Sequence, residues 1–255
     1  MSARRFVIPV LVALLMAAVP AAAESANCKF GAERTATLDT AGIERVEIFA
    51  RAGDLDVRPA TARELRATGQ ACASSQALLD ESKVLVRRNG NVAEVVVRLP
   101  EEMKGIGVFY AWLDLAVEVP GGLPIHVNDS SGDITLEQVH VAKVTDSSGD
   151  ITARGLLGDI EIDDSSGDIT LDDTAGLVTA RDSSGDIEID GAHGVIIPMD
   201  SSGDIEIERI TGSVRIERDS SGDIKVSKVD GDVAVLADST GEVRISQVKG
   251  AVSTP

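Results

Sequence analysis

The chain has 255 residues, with 42 acidic against 24 basic side chains, a formal net charge of −18 and only 2% aromatic residues. Acidity on this scale argues against nucleic acid or anionic lipid as a partner, since both need a basic footprint. It is compatible with cations or basic protein surfaces, and most simply with solubility.

The first element is an export signal, expected over 1–23. Arg4 and Arg5 form its positive start, Phe6 to Val19 an apolar run, and Ala21-Ala22-Ala23 a small-residue cleavage site before Glu24. The run, roughly 14 residues, is too short for a comfortable membrane span. Cys28 stands too late for a lipid-modified signal, and no second apolar stretch is present downstream. Cleavage leaves 22 basic and 42 acidic side chains, a charge of −20. No barrel, sorting signal or C-terminal anchor is recognisable, so the expected location is periplasmic or secreted. Cys28 and Cys72 are an even pair in a chain bound for an oxidising compartment, which favours a disulfide over two free buried thiols. Closing that loop is worth roughly 4 kcal/mol in the chain-entropy model.

Residues 24–128 read as an irregular β-rich segment that caps a regular repeat. "GIERVEIFARAGDLDVRPA" (42–60) holds Gly53-Asp54-Leu55-Asp56-Val57, a corner followed by a strand. Ala73 to Glu81 suits a short helical turn. "KVLVRRNGNVAEVVVRLP" (83–100) is two alternating strands around Asn89-Gly90-Asn91, a hairpin or another corner. "VFYAWLDLAVEVP" (108–120) is a longer strand ending at Pro120. If Phe109, Ala111, Leu113 and Leu115 face inward, Tyr110 and Trp112 face out. Phe109, Tyr110 and Trp112, after the Gly-containing loop 101–107, are therefore the candidate partner-binding patch. Packing of these rings on a cap is the competing expectation.

From 129 to 255 one motif governs the chain. "DSSGDI" begins at 129, 146, 164, 182, 200 and 219, and "DSTGEV" comes at 238, in steps of 17, 18, 18, 18, 19 and 19 residues. Nine residues after each motif Gly stands a second Gly (158, 176, 194, 212, 231 and 250), replaced only by Val141 in the first copy. Apolar residues alternate after each corner, as in Ile134 and Leu136 or Val214 and Ile216, which marks half-buried strands. Gly before each strand marks a corner needing a special dihedral or close approach. Two short strands and two corners per roughly 18 residues describe one coil of a parallel β-solenoid. The expected class is therefore all-β, with a thin Ile/Val/Leu core that has no room for large rings. An antiparallel sandwich is the rival, disfavoured by the strictness of the period.

"LDLAVEVPGGLPIHVNDSSGDITLEQV" (113–139), with its repeated SGDI corners and interleaved G-x-V half-repeats downstream, resembles the bacterial putative-adhesin family, a domain-of-unknown-function group. The likeness covers roughly 35–255. It implies an exported β-helical protein with an adhesive role and brings no catalytic residues.

The motif itself admits three chemistries. Nucleophilic catalysis needs one Ser beside one base, whereas this corner recurs seven times and none of His126, His140 and His193 recurs with it. Polysaccharide-cleaving β-helices share the architecture but carry long cleft-building loops, so an enzyme of that kind is the remote alternative. Cation binding is the second. Stacked coils would align Asp129, Asp146, Asp164, Asp182, Asp200 and Asp219 in one row and Asp133, Asp150, Asp168, Asp186, Asp204 and Asp223 in another, and Ca²⁺ would relieve their repulsion. Unlike the calcium β-roll, the chain has these acids in one half-turn only and no double Gly. The third and preferred chemistry is a self-capping turn, in which Asp and Ser accept backbone N–H groups, Gly permits the bend and water screens the acids. The outward row Thr135, Thr152, Thr170, Glu188, Glu206, Lys225, Arg244 suits a solvated sheet face. The expected function is a non-enzymatic interaction scaffold without an obligatory cofactor. Its partner would be an envelope protein or glycan, and its last coil is open to end-to-end self-association.

Overall fold

The computed structural model describes residues 28–101 and 108–255. The expected export signal and residues 102–107 of the loop before the aromatic patch lie outside the described residues. Among the described residues two eleven-stranded sheets face each other, and from Ile125 onward the chain passes between them once per half-turn. The result is the parallel β-solenoid expected from the period. One sheet stacks Ile134–Glu137, Ile151–Arg154, Ile169–Asp172, Ile187–Ala192, Ile205–Ile210, Ile224–Val229 and Val243–Val248. The other stacks Ile125–Asn128, Val141–Thr145, Ile160–Asp163, Leu177–Arg181, Gly194–Met199, Val214–Ile216, Val233–Val235 and Val252–Ser253.

Pairing is in register, so each residue lies on its own copy. Ile151 is opposite Ile134 on one side and Ile169 on the other, and Ile205 is opposite Ile187 and Ile224. These Ile side chains have no exposed surface. Each contributes roughly 1.5–3 kcal/mol by leaving water. Not every strand pair keeps step along its whole length. Opposite Ala180, the neighbouring strand fits both Ile197 and Pro198, and the register shifts there. Pro has no N–H to give to a ladder, so a bulge is the place that tolerates it.

The N-terminal part closes the opposite end with antiparallel strands. Phe30–Asp39 pairs with Glu64–Ala73, which pairs with Ala111–Pro120. On the other sheet Lys83–Asn89 and Val92–Arg98 form a hairpin, the first of the two forms expected there. The short helix Gln76–Glu81 covers this end, with the Ser75 hydroxyl accepting the Leu78 N–H. At the helix's other end Arg34 donates to the Leu79 and Ser82 carbonyls, meeting groups that a helix leaves unpaired. Cys28 and Cys72 are disulfide-bonded, with Cα atoms 5.6 Å apart.

Chain order and spatial order differ at one place. Leu55–Ala60 lies between Ala111–Pro120 and Ile134–Glu137, and Arg45–Phe49 lies between Val92–Arg98 and Ile125–Asn128. The early coil is thus sandwiched between parts of the chain made later.

Where each coil leaves the first sheet, one inward side chain fills the second corner. Val139, Leu156, Ala192, Ile210 and Val229 hold this place, and Thr174 holds it in the coil that starts at Ile169. Its Oγ1 is buried without a hydrogen-bond partner. A lone hydroxyl in an apolar row costs about 1–2 kcal/mol. Thr174→Val, equal in shape, is expected to raise the unfolding free energy by that amount and the urea midpoint in proportion, which a urea titration measures. An unchanged or lowered midpoint would show that the hydroxyl is satisfied.

Candidate functional site

The DSSGD corner joins each coil to the next through its Gly, its second Ser and its second acid. The motif glycines adopt φ from +119° at Gly132 to +142° at Gly241, a region that L side chains avoid. They also approach one another closely. A Cβ built on Gly203 would lie 1.8 Å from the Gly185 carbonyl oxygen. From the second motif on, the second Ser donates its hydroxyl to the first Ser carbonyl one coil back: Ser148 to Ser130, Ser166 to Ser147, Ser184 to Ser165 and Ser202 to Ser183, at 3.2–3.4 Å. The two acids of the motif have opposite fates.

The second acid lies at the surface and accepts the amide of its copy in the next coil. Asp133 Oδ1 accepts the Asp150 N–H at 3.1 Å, Asp150 that of Asp168 at 3.0 Å, and Asp168 that of Asp186 at 2.8 Å. The row continues through Asp186, Asp204 and Asp223 to the Glu242 amide. It also extends downward, since Asp114 receives the Asp54 amide and Asp54 that of Asp133. The degenerate corner at Gly53 is therefore a true member of the stack. Asp114 was missed in the sequence, since no corner motif surrounds it.

The first acid points inward. Asp129, Asp146, Asp164, Asp182, Asp200 and Asp219 are at most 6% exposed. Asp146, Asp164 and Asp182 accept the N–H of the following Ser at 2.6–2.7 Å, as a self-capping turn requires. The expectation that water screens both rows fails here, because this row is packed beneath the corner. Alternation gives the signal: Val144 is inward and Thr145 outward, so Asp146 is inward again. In "ARAGD" the corresponding residue is Ala50, also buried.

Burial penalises the ionised form. It pushes Asp129 up to about 7, Asp164 to about 6 and Asp200 to about 7, with Ser amides opposing and neighbouring carboxylates adding to the rise. Asp146, Asp182 and Asp219 are raised for the same leading reason. Adjacent unit charges about 4.8 Å apart repel by roughly 3.5 kcal/mol at an effective dielectric of 20. Among the described residues no three His, Cys, Asp or Glu side chains converge where they could hold a metal ion.

Other candidate surfaces are shallower. Tyr110 and Trp112 are half-buried on the cap, with ring centroids 5.1 Å apart at 31°, and Phe109 packs against the core. At the second corner Leu157, Asp173, Ala175, His193, Arg209 and Thr211 line an open groove of about 550 Å³. The Arg209 charge is already met by Asp172, Asp173 and Asp190. Among the described residues no helix is long and apolar enough to cross a membrane.

The chain is similar to several known proteins. The model of the family described as Toastrack DUF4097 matches residues 24–193 and 80–252. Similar solved structures include a putative cell adhesion protein from Clostridium sporogenes ATCC 15579, at 8% identity and TM-score 0.38, covering 86% of this chain and 100% of that one. A putative adhesin from Bacteroides fragilis NCTC 9343 has 15% identity and TM-score 0.38, covering 88% and 97%. A putative lipid binding protein from Parabacteroides distasonis ATCC 8503 has 13% identity and TM-score 0.38, covering 88% and 96%. No curated protein matches the chain.

The outer acid row makes a separable contribution to stability. Asp168→Ala removes the acceptor of the Asp186 amide and is expected to cost about 1–2 kcal/mol. Asp168→Asn keeps an acceptor oxygen and loses a like charge, so it should remain at or above wild type. Thermal denaturation of the two variants checks this, and equal losses would mean that charge rather than the amide bond matters.

Proposed function

The chain belongs to the Toastrack DUF4097 family, and on that premise we propose that it is an exported, non-enzymatic scaffold with an adhesin-like role, contacting a protein or glycan of the cell envelope. The observation that carries this reading is the contrast between the two sides of the first sheet. Inward positions repeat almost unchanged, Ile134, Ile151, Ile169, Ile187, Ile205, Ile224 and Val243. The outward row one residue on drifts from Thr135, Thr152 and Thr170 through Glu188 and Glu206 to Lys225 and Arg244. The inward series is what stacking needs. The outward series gives the rigid face a graded charge, suited to contact. Residues 1–23 act as the export signal in this reading, and residues 24–255 are the periplasmic or secreted protein.

The half-buried pair Tyr110 and Trp112 is the proposed anchor of that contact, because aromatic side chains bring large apolar area at low entropic cost. Immobilised protein spanning 24–255 is expected to retain a purified envelope protein or glycan fraction. Replacing Tyr110 and Trp112 by Ala should weaken retention at least tenfold. Undiminished retention removes the aromatic pair from the site, and new reducing ends in a glycan fraction would instead favour a polysaccharide-cleaving enzyme.

Self-association belongs to the same proposal. Among the described residues Val243–Val248 has a strand neighbour on one side only, and Val243, Ile245 and Val248 are half-buried there. Joining two such edges would cover that surface. Sedimentation velocity is expected to show a concentration-dependent dimer that Ile245→Lys abolishes, and a monomer at all concentrations would dismiss the end-to-end contact. Calcium between coils is the second reading, favoured by the carboxylate oxygens of the inner row that have no hydrogen-bond partner.

A further inference from the structure

The inner acid row poses a bonding problem that its own corner does not solve. Asp129, Asp146, Asp164, Asp182, Asp200 and Asp219 are at least nine-tenths buried, and each has at least one carboxyl oxygen without a partner. Oδ2 is the orphan in Asp146, Asp164, Asp182 and Asp219, while both oxygens are orphaned in Asp129 and Asp200. The nearby Ser amides meet Oδ1 alone.

The other groups acting on the row are carboxylates as well. Asp54 acts on Asp129, Asp133 on Asp146, Asp168 on Asp182 and Asp238 on Asp219, and the remaining influences come from within the row. No base compensates the row among these groups. The backbones of the row stack directly, Asp219 pairing with Asp200 on one side and with Asp238 on the other.

We propose that the inner row is a chain of shared protons running along the solenoid. At neutral pH alternate members are neutral acids, and each donates its O–H to the orphaned oxygen of an ionised neighbour. One proton per pair, taken from solvent on folding, satisfies two buried oxygens and removes one of two adjacent charges; no covalent bond other than the O–H is made. The upward displacement of these acids accords with this arrangement.

Linkage sets the sign of the pH dependence. Asp in an unfolded chain titrates near pH 3.9. Between that value and about 7 the folded protein therefore holds more protons than the unfolded one. Stability falls as pH rises through this window. Glu94 and Asp163 are shifted the opposite way, by the Asn89 and Arg87 hydrogen bonds and by Lys143 and Arg181 respectively, so they favour higher pH only around and below the ordinary carboxylate range.

Thermal melting of residues 24–255 between pH 5 and 8.5, in EDTA, tests the proposal. The wild-type midpoint is expected to fall by at least 5 °C across this range. The variant Asp164→Asn/Asp182→Asn/Asp200→Asn, which supplies N–H donors and keeps the Oδ1 acceptor, is expected to lose clearly less with rising pH than wild type, the adjacent Asp129 and Asp146 still sharing a proton, and to melt higher than wild type at pH 8. Parallel profiles of the two proteins would overturn the proposal. So would a wild-type midpoint that Ca²⁺ raises at pH 8 while remaining flat with pH in EDTA, since cations would then occupy the oxygens. If the triple variant fails to fold, proton uptake during wild-type refolding at pH 6 in weak buffer decides the matter. An uptake clearly above that of the Asp182→Asn single variant supports the chain, and equal uptake overturns it.

Discussion

Parallel strands stacked in register place every side chain on its own copy, and this alignment governs both the sequence and the energetics of the protein. A residue that suits one coil must also suit contact with itself at about 4.8 Å. Branched aliphatic residues meet that condition by packing, and so the inward rows are Ile, Leu and Val. At the tight corner the condition is steric. The carbonyl of one motif Gly occupies the space that a Cβ on the next would need. Repetition of the corner results from this contact, since each copy is shaped by the one beneath it.

The same alignment makes charge placement consequential. Outward acids in successive coils stack as like charges, and the protein meets this in two ways. Along the corner, each outer Asp takes the next coil's amide and remains in water, where repulsion is weak. Across the sheets, bases are interleaved with acids: Lys143 and Arg181 flank Glu161 and Asp163 from the coils on either side. Lys225 pairs with Glu206 and Lys249 with Asp230 in the coil before. Exposed pairs of this kind contribute little individually. Their larger effect is to penalise coils stacked out of step.

Much of the architecture was legible because period and alternation are properties of the stack itself. The 17–19-residue steps gave the coil, Asn89-Gly90-Asn91 the hairpin, and the degenerate "AGDLDV" the first corner. The direction of the first acid was harder to read. Asp-Ser-Ser-Gly is rich in turn formers, and turn chemistry suggests exposure, whereas the strand parity running through Val144 to Asp146 sets it inward. Asp114 escaped notice for a different reason. Its place beside Asp54 depends on a strand inserted between distant segments, and no local pattern encodes that insertion. Tyr110 and Trp112 were expected outward by parity, and the structure leaves them half-buried, packed on each other.

The insertion of the early coil also fixes an order of events. From Ile134 onward each new coil can settle on a finished one as soon as it is made, with contacts only about 18 residues apart. Leu55–Ala60 has no such neighbour at hand. Its partners on either side are Ala111–Pro120 and Ile134–Glu137, so it must wait for the chain to reach residue 137. Contacts that span such distances close slowly. For a chain that emerges from its N-terminus, the capped end therefore closes over far longer stretches of sequence than any regular coil does.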